Sequence, residues 1–461
     1  MIRGERGWRL LGAAVLLASA APLIRHFLLL YPREIWQVDL EVYRDGAYSL
    51  VTGRPLYEWR TEAPQFLPFT YPPFAALAGL PLLLVPFVAA GWIWTFGQLG
   101  LLWFVVGRAF RPFLRRFGTR AGVVQGAICG VCVWMLPVAS GIRFGQVNAV
   151  IVALCLADVV RGPDVAPPRW WDRLLPQGVL VGVATAIKLT PGAFWVHWAL
   201  ARRWRVLAAS VLAGVGLTVW TALVLPSSSA AYWTDALLSP GRLGPNDGTS
   251  NQSLRGMLLR QAPNPTFGLV AWVVLVLVVA VGGFALSVRL ERLGESVAVL
   301  AAVGMVAFLI SPVSWVHHLF WGVPVLGALL GDGRERRRQV VVAVGTAVLL
   351  VPLPWWGLDL MAAGILPRWA GRTVQNGYLL FAVLALVGLW WLVARGPHQG
   401  VGRSSRASTA STASSAQIEA PIRRTVPSLS RRSSARPSSA PAPEISSSEI
   451  HAPTNTDSGS P

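Results

Sequence analysis

Charged residues are scarce in this chain. They make up 13% of the 461 residues, whereas a soluble globular domain carries about 25%. Hydrophobic residues reach 54%, and the mean hydropathy is +0.52. This balance excludes an ordinary soluble enzyme, and the high apolar content also excludes a chain that is disordered throughout.

Cysteine and the common cofactor motifs are also nearly absent. The three cysteines (Cys129, Cys132 and Cys155) lie inside apolar runs and show neither a disulfide framework nor zinc-ligand spacing. The sequence has no Gly-rich phosphate loop, no metal-binding helix motif, no Ser-His-Asp order and no DxD-type pair near the membrane. We therefore expect no metal ion and no other cofactor.

The positive charge comes almost entirely from arginine, and Lys188 is the only lysine. A net charge of +19 would suit a nucleic-acid-binding protein if it covered one soluble face. The arginines instead form short clusters between long apolar runs, which is typical of the cytoplasmic loops of membrane proteins. We therefore predict a protein of the cell membrane with both termini in the cytoplasm and no nucleic-acid partner.

Apolar runs of about 20 residues, the length of a membrane-spanning helix, recur along the chain. The segment 72–86 is interrupted by prolines and is predicted to be a helix in the outer interface. Splitting 72–108 into two crossings would leave five arginines outside, so the positive-inside rule favours twelve crossings. The predicted fold is an all-α, multi-pass helical bundle with crossings near 10–30, 89–108, 121–139, 147–160, 176–188, 191–201, 206–225, 267–288, 295–311, 315–330, 339–356 and 375–394.

The chain is predicted to have two parts. Residues 1–394 would form the membrane-embedded domain. Ser, Ala, Pro and Arg dominate 395–461 without apolar periodicity, which indicates a disordered cytoplasmic tail. The tail has eight arginines and four acidic residues and could contact anionic membrane lipids, although a solvated tail is the simpler interpretation.

Polar and ionisable residues from distant segments fall on the outer side in this topology. Such residues are costly at membrane depth and mark functional sites. Their shared location suggests one site at the outer membrane face, whereas a transporter more often binds its substrate near the midplane. The candidate residues are Asp39, Tyr43, Tyr71, Arg143, Gln146, Asn148, Lys188, Asn251, Gln252, Arg255, His317 and His318.

Several of these residues also have a purely structural interpretation. Asp39 could cap a helix that begins near Leu40. Arg143 could stack on Phe144, and Lys188 could anchor the chain at the membrane interface. The histidine pair could belong to an aromatic belt. From spacing alone, these alternatives stay open for Asp39, Arg143, Lys188, His317 and His318.

Together, the candidate residues suit a lipid-linked phosphosugar, whose anionic phosphate lies at the membrane surface. Arg143, Lys188 and Arg255 could hold that phosphate. Asp39 could deprotonate an acceptor hydroxyl that attacks the anomeric carbon, and a histidine could bind the phosphate or sugar hydroxyls. Flat faces for sugar rings could come from Trp36, Tyr43, Tyr57 and Trp59.

Six segments in a fixed order carry a family resemblance. They are VDLEVYRDGAYSLVTGRPLYEW, FTYPPFAALAGLPL, GQVNAVIVALCLAD, AIKLTPGAFWVHWAL, SNQSLRGMLLR and SPVSWVHHLFW. Over roughly 10–390, the chain resembles the bacterial polyprenyl-phosphate-mannose-dependent mannosyltransferases of glycosyltransferase family 87. The resemblance implies the C-type glycosyltransferase membrane fold.

The resemblance also implies an activity. It is an inverting transfer of mannose from polyprenyl-phosphate-mannose to a lipid-linked or glycan acceptor outside the membrane. The first outer loop of the family supplies the catalytic base, and Asp39 occupies the matching place in DLEVY; WVHHLFW implies a donor-site role for His317 or His318. Transfer of arabinofuranose, known among relatives with the same broad fold, stays an alternative. A lipid-linked-sugar flippase is another, although the internal repeat often found in such proteins is missing here.

Overall fold

A computed structural model describes residues 2–32, 36–161 and 175–394. The predicted tail, 395–461, lies outside the described residues. Within them the chain is helical and contains no β-strand. The α-helices, numbered in chain order, are α1 (Ile2–Ile24), α2 (Val38–Thr52), α3 (Pro73–Ala78), α4 (Phe87–Ala109), α5 (Arg111–Leu114), α6 (Ala121–Cys132), α7 (Leu136–Phe144), α8 (Asn148–Val159), α9 (Val179–Ile187), α10 (Ala193–Leu200), α11 (Trp204–Val224), α12 (Pro226–Thr234), α13 (Leu254–Gln261), α14 (Pro265–Arg292), α15 (Ser296–Ile310), α16 (Gly322–Leu330), α17 (Arg336–Leu350), α18 (Leu353–Ala362), α19 (Arg368–Gln375) and α20 (Gly377–Ala394).

Five of the described helices are long and apolar enough to cross a membrane. They coincide with predicted crossings and are α1 with its continuation to Leu30, α4, α11, α14 and α20. Two bent helix pairs raise the number of candidate spans to seven if each pair is one span. Other predicted crossings coincide with the shorter helices α8, α9, α10, α15 and α16, so the count of twelve stays a prediction.

Prolines account for the bends. The predicted crossing 121–139 is not one helix, because α6 ends at Cys132 and α7 continues at an angle of 79°. Pro137 lies in the first turn of α7, where a proline ring is tolerated but cannot continue a preceding helix. A similar 60° bend separates α17 from α18. The segment 72–86 is also broken as predicted, into α3 and a 3₁₀-helix, Leu80–Leu84.

The helix α15 lies at the centre of the bundle. Its sequence is apolar on every side, and its residues from 298 to 309 are all buried. A helix that is hydrophobic all round needs partners all round, and α15 packs against α8, α10, α14, α16 and α20. By contrast, α11 and α14 expose apolar side chains, as helices that face lipid do: Leu212 is 74% exposed and Leu277 is 58% exposed.

Glycines allow α1 and α6 to touch backbone to backbone. The sequence of α6 places Gly122, Gly126 and Gly130 one turn apart on one face. A Cβ at Gly126 would lie 2.1 Å from the carbonyl oxygen of Gly12, and a Cβ at Gly12 would lie 2.0 Å from that of Gly122. Small residues at four-residue spacing favour such close packing in membranes because it maximises van der Waals contact.

We expect Gly126→Ala to destabilise the bundle by about 1–3 kcal/mol, because the added methyl group must separate α1 from α6. The apparent melting temperature of the purified protein in detergent measures this effect. Gly97→Ala in α4 is the control, since a Cβ there meets nothing within 4 Å. Equal melting temperatures for the two variants would contradict the close contact.

Candidate functional site

Four chain segments bring predicted site residues together. They are the first turn of α2, the link between α7 and α8, the C-terminal end of α9, and a 3₁₀-helix, Val316–Trp321, that precedes α16. Each is a helix end or an irregular turn, where side chains and backbone groups remain available for contacts beyond the helix. The 3₁₀-helix packs against α7 and α8, which places its histidines beside the link.

Asp39 lies in the first turn of α2 and does not cap it. The helix begins at Val38, and its N-cap is Gln37. The alternative in which Asp39 caps a helix from Leu40 is therefore not what the structure shows. Burial raises the pKa of the Asp39 carboxyl to about 6. A hydrogen bond from Gln146 and the positive charge of Lys188 both lower this pKa, but burial has the larger effect.

A left-handed glycine brings Gln146 to Asp39. Gly145 ends α7 with φ of +73°, a conformation that favours glycine. A Cβ at this position would lie 2.7 Å from Cβ of Leu40, so the link also approaches α2 more closely than a larger residue allows. Gly145 was not among the residues predicted from the sequence, although a glycine directly after an apolar helical segment is a typical helix C-cap signal.

A continuous chain of polar contacts leads from two tyrosines to the lysine. The hydroxyl groups of Tyr43 and Tyr71 are 3.0 Å apart, and that of Tyr43 donates to Oε1 of Gln146 at 3.3 Å. Nδ2 of Asn148 donates to the same Oε1 at 3.2 Å. Nζ of Lys188 donates to Oδ1 of Asn148 at 3.0 Å. The structure thus unites five predicted residues beside Asp39.

The two histidines have different surroundings. Nε2 of His318 lies 3.0 Å from Nζ of Lys188, whereas the ring of His317 lies against Phe144, with centroids 6.1 Å apart. The backbone oxygen of His317 accepts a hydrogen bond from Asn148 at 3.2 Å. Of the pair, His318 therefore lies beside Lys188 with its side chain, and His317 accepts from the polar chain through its backbone oxygen.

The environment of His318 fixes where its proton lies. Nδ1 accepts a hydrogen bond from the backbone N–H of Trp315 at 3.2 Å. A neutral imidazole carries one proton, so this contact assigns the proton to Nε2, on the side of Lys188. The Nε2–H of His318 and the ammonium group of Lys188 are thus two donors that lie side by side, and one anionic oxygen could accept from both.

Arg143 lies beside aromatic rings. Its guanidinium carbon is 5.1 Å from the ring centroid of Phe27, 4.6 Å from that of Tyr31 and 4.9 Å from that of Phe144. The stacking on Phe144 that the sequence left open is thus present. Stacking uses the face of a guanidinium and leaves its N–H edge for hydrogen bonds. Within the described residues, Nε of Arg143 is buried without a hydrogen-bond partner.

Asn251 and Gln252 are fully buried and hold the loop before α13 in place. Oδ1 of Asn251 accepts from the backbone N–H of Ser314 at 2.9 Å. Nε2 of Gln252 donates to the backbone oxygen of Gln375 at 2.9 Å, and its Oε1 accepts from the backbone N–H of Tyr378 at 3.2 Å. The structure therefore places both amides in loop-anchoring contacts and not in the polar chain beside Asp39.

The remaining predicted residues also lie outside that chain. The guanidinium carbon of Arg255 is 5.0 Å from the ring centroid of Trp272 on α14. Trp36 and Tyr57 are buried, and their rings pack against Phe87 and Tyr232. Among the described residues, no three His, Cys, Asp or Glu side chains are placed to hold a metal ion.

Known proteins of similar sequence identify the family of this chain. The sequence pattern of glycosyltransferase family 87 matches residues 69–312. A Mycobacterium tuberculosis protein named polyprenol-phosphate-mannose-dependent alpha-(1-2)-phosphatidylinositol pentamannoside mannosyltransferase is 34% identical over 383 residues, which cover 77% of this chain and 81% of that protein. A Mycolicibacterium smegmatis protein named polyprenol-phosphate-mannose-dependent alpha-(1-2)-phosphatidylinositol mannoside mannosyltransferase is 29% identical over 414 residues, which cover 83% of this chain and 86% of that protein. No solved structure matches. The chain belongs to glycosyltransferase family 87 and is a membrane glycosyltransferase.

Proposed function

We propose that the protein transfers mannose, with inversion, from polyprenyl-phosphate-mannose to a lipid-linked or glycan acceptor at the outer face of the cell membrane. One observation carries the proposal: Asp39, which has a raised pKa, lies beside a cluster in which Lys188 and His318 are 3.0 Å apart. Relatives named for this donor act on phosphatidylinositol mannosides, which supports mannose as the sugar and a lipid-linked acceptor.

The proposed reaction is a single displacement at the anomeric carbon. Asp39 accepts the proton of the acceptor hydroxyl while its oxygen forms the new bond to that carbon. The bond between the carbon and the phosphate oxygen breaks, and its electron pair leaves with the polyprenyl phosphate. Lys188 and the Nε2–H of His318 stabilise the charge that grows on this phosphate. Arg143, whose N–H edge is free of the stacked rings, is proposed as a further phosphate group.

We propose a C-type fold with twelve membrane crossings. Both termini lie in the cytoplasm, and the site lies at the outer face. The alternating positions of the arginine clusters support it. In this arrangement Asp39, Lys188 and His318 lie at outer helix ends, where a lipid-linked donor can enter from the membrane and an acceptor from outside.

We expect Asp39→Asn to lower kcat about 100- to 10,000-fold, the range for loss of a general base, while donor binding is retained. Turnover of purified protein with polyprenyl-phosphate-mannose measures this effect. Glu41→Gln is a close control: its carboxyl lies two residues further on α2, and burial together with Asp45 and Glu62 raises its pKa to about 7. Substantial turnover by Asp39→Asn, or an equal loss in Glu41→Gln, would contradict the assignment.

The pH dependence of kcat is a second test of Asp39 as the general base. A base must be deprotonated, so kcat should fall about tenfold per pH unit below the Asp39 pKa of about 6, well above its ordinary value of 3.8. The Glu41→Gln variant should keep this acid limb. An acid limb near 4 in the wild-type protein would contradict the buried base.

We expect Lys188→Ala to raise the donor KM about 10- to 100-fold, because hydrogen bonds to a charged phosphate are worth about 1.5–3 kcal/mol. It should also move the acid limb of kcat to higher pH, since the lysine charge lowers the pKa of Asp39. Arg334→Ala is the control, as its side chain is 75% exposed and lies in a predicted inner loop. An unchanged donor KM in Lys188→Ala would contradict the phosphate site.

The topology is tested by labelling single cysteines introduced at Arg60 and Arg334, both exposed. In intact cells, an impermeant maleimide should label position 60, and position 334 only after the membrane is opened. The three native cysteines are buried, so the background should be low. Labelling of both positions in intact cells would contradict the proposed orientation.

A further inference from the structure

Gln37, two positions before the proposed base Asp39, has an unusual backbone conformation. Its φ and ψ are +50° and +45°, in the left-handed region that side chains disfavour. Among the described residues, Phe66 and Arg202 are the other non-glycine residues with positive φ, and both are exposed. Gln37 is fully buried. Strained conformations of buried residues persist only where the surroundings impose them.

The side chain of Gln37 is anchored to α4. Its Nε2 donates to Oγ1 of Thr95 at 2.7 Å and to the backbone oxygen of Gly91 at 3.2 Å. Oγ1 of Thr95 in turn donates to the same oxygen of Gly91 at 2.9 Å. These three contacts form a closed group in a buried location, where an unmade hydrogen bond is expensive.

The same residue also borders the segments that carry the site. The backbone oxygen of Gln37 accepts from N–H of Glu41 at 3.1 Å, which is the first turn of α2. Its Oε1 lies 3.3 Å from the place where a Cβ of Gly145 would be, and 3.2 Å from that of Gly91. Gln37 therefore lies where α2, α4 and the link before Gln146 meet.

We propose that Gln37, held by Thr95, is a positioning residue that fixes the Asp39 carboxylate for proton transfer. Only Val38 separates it from Asp39, and a relaxed backbone at Gln37 would change where α2 begins and in which direction the Asp39 carboxylate leaves the helix. The inference rests on the proposed role of Asp39 as base. If Gln37 has this role, catalysis also depends on α4, a helix that contributes no residue to the polar chain.

Thr95→Val tests the proposal without altering α2. Valine keeps the shape of threonine but cannot accept from Gln37, so the left-handed turn loses its strongest contact. We expect kcat to fall about 10- to 100-fold, the cost of a displacement of about 1 Å, with a donor KM within about twofold of the wild type. Thr95→Ser, which keeps the hydroxyl, should restore most of kcat.

The acid limb of kcat separates positioning from simple destabilisation. Burial is the largest cause of the raised Asp39 pKa, so a displaced carboxylate should titrate at lower pH in Thr95→Val. A loss of folded protein would lower kcat without moving this limb. Thr221→Val in α11 is the control, because Thr221 is equally buried and its hydroxyl donates only to Leu217 one turn earlier.

The outcomes distinguish this inference from the proposed base. If Asp39→Asn is inactive while Thr95→Val has the kcat and acid limb of the wild type, Gln37 does not position the carboxylate and the base is retained. A fall in kcat shared equally by Thr95→Val and Thr221→Val, with an unmoved acid limb, also overturns the positioning role. If Asp39→Asn is active, the base assignment fails and the positioning role fails with it.

Discussion

The contact between Lys188 and Asn148 is the interaction on which the arrangement of the site depends. It joins the C-terminal end of α9 to the first residue of α8 at 3.0 Å, and the same ammonium group reaches His318 on the 3₁₀-helix. A buried ammonium group needs hydrogen-bond acceptors, and Oδ1 of Asn148 supplies one. The Nε2–H of His318 is a second donor beside the same nitrogen, so three segments distant in sequence meet there, and Gln146 and Asn148 carry the connection on to Asp39.

Non-helical backbone at the helix ends allows these segments to come together. Hydrogen bonding inside a helix uses its backbone groups, so ligand-binding groups in a membrane protein concentrate where helices end. Here the left-handed residues Gln37 and Gly145 and the extended Lys188 each end or begin a helix within the site. The glycine accepts its conformation without strain, whereas Gln37 requires Thr95 to hold it.

Part of this arrangement was predictable from the sequence. Hydropathy and arginine clusters predicted long helices at α1, α4, α11, α14 and α20, since apolar length is a local property. The convergence of Asp39, Lys188 and the histidine pair followed from topology alone. The buried anchoring of Asn251 and Gln252 depends on tertiary contacts, which spacing does not encode, whereas the break after Cys132 has a local cause in Pro137. Gln37 gave no signal, because a glutamine codes for no particular backbone conformation.

The single lysine illustrates how composition and geometry complement each other. Arginine serves every other basic position, and a planar guanidinium suits stacking of the kind seen for Arg143. Lys188 instead donates to an amide oxygen and lies beside an imidazole N–H, which cannot accept from it, so its compact ammonium group keeps donors that can rotate. One donor is used by Asn148, and the others remain able to turn toward an incoming oxygen. In the proposed reaction, the rotatable donors of this ammonium group can follow the charge that grows on the phosphate, whereas the fixed donors of a guanidinium group cannot.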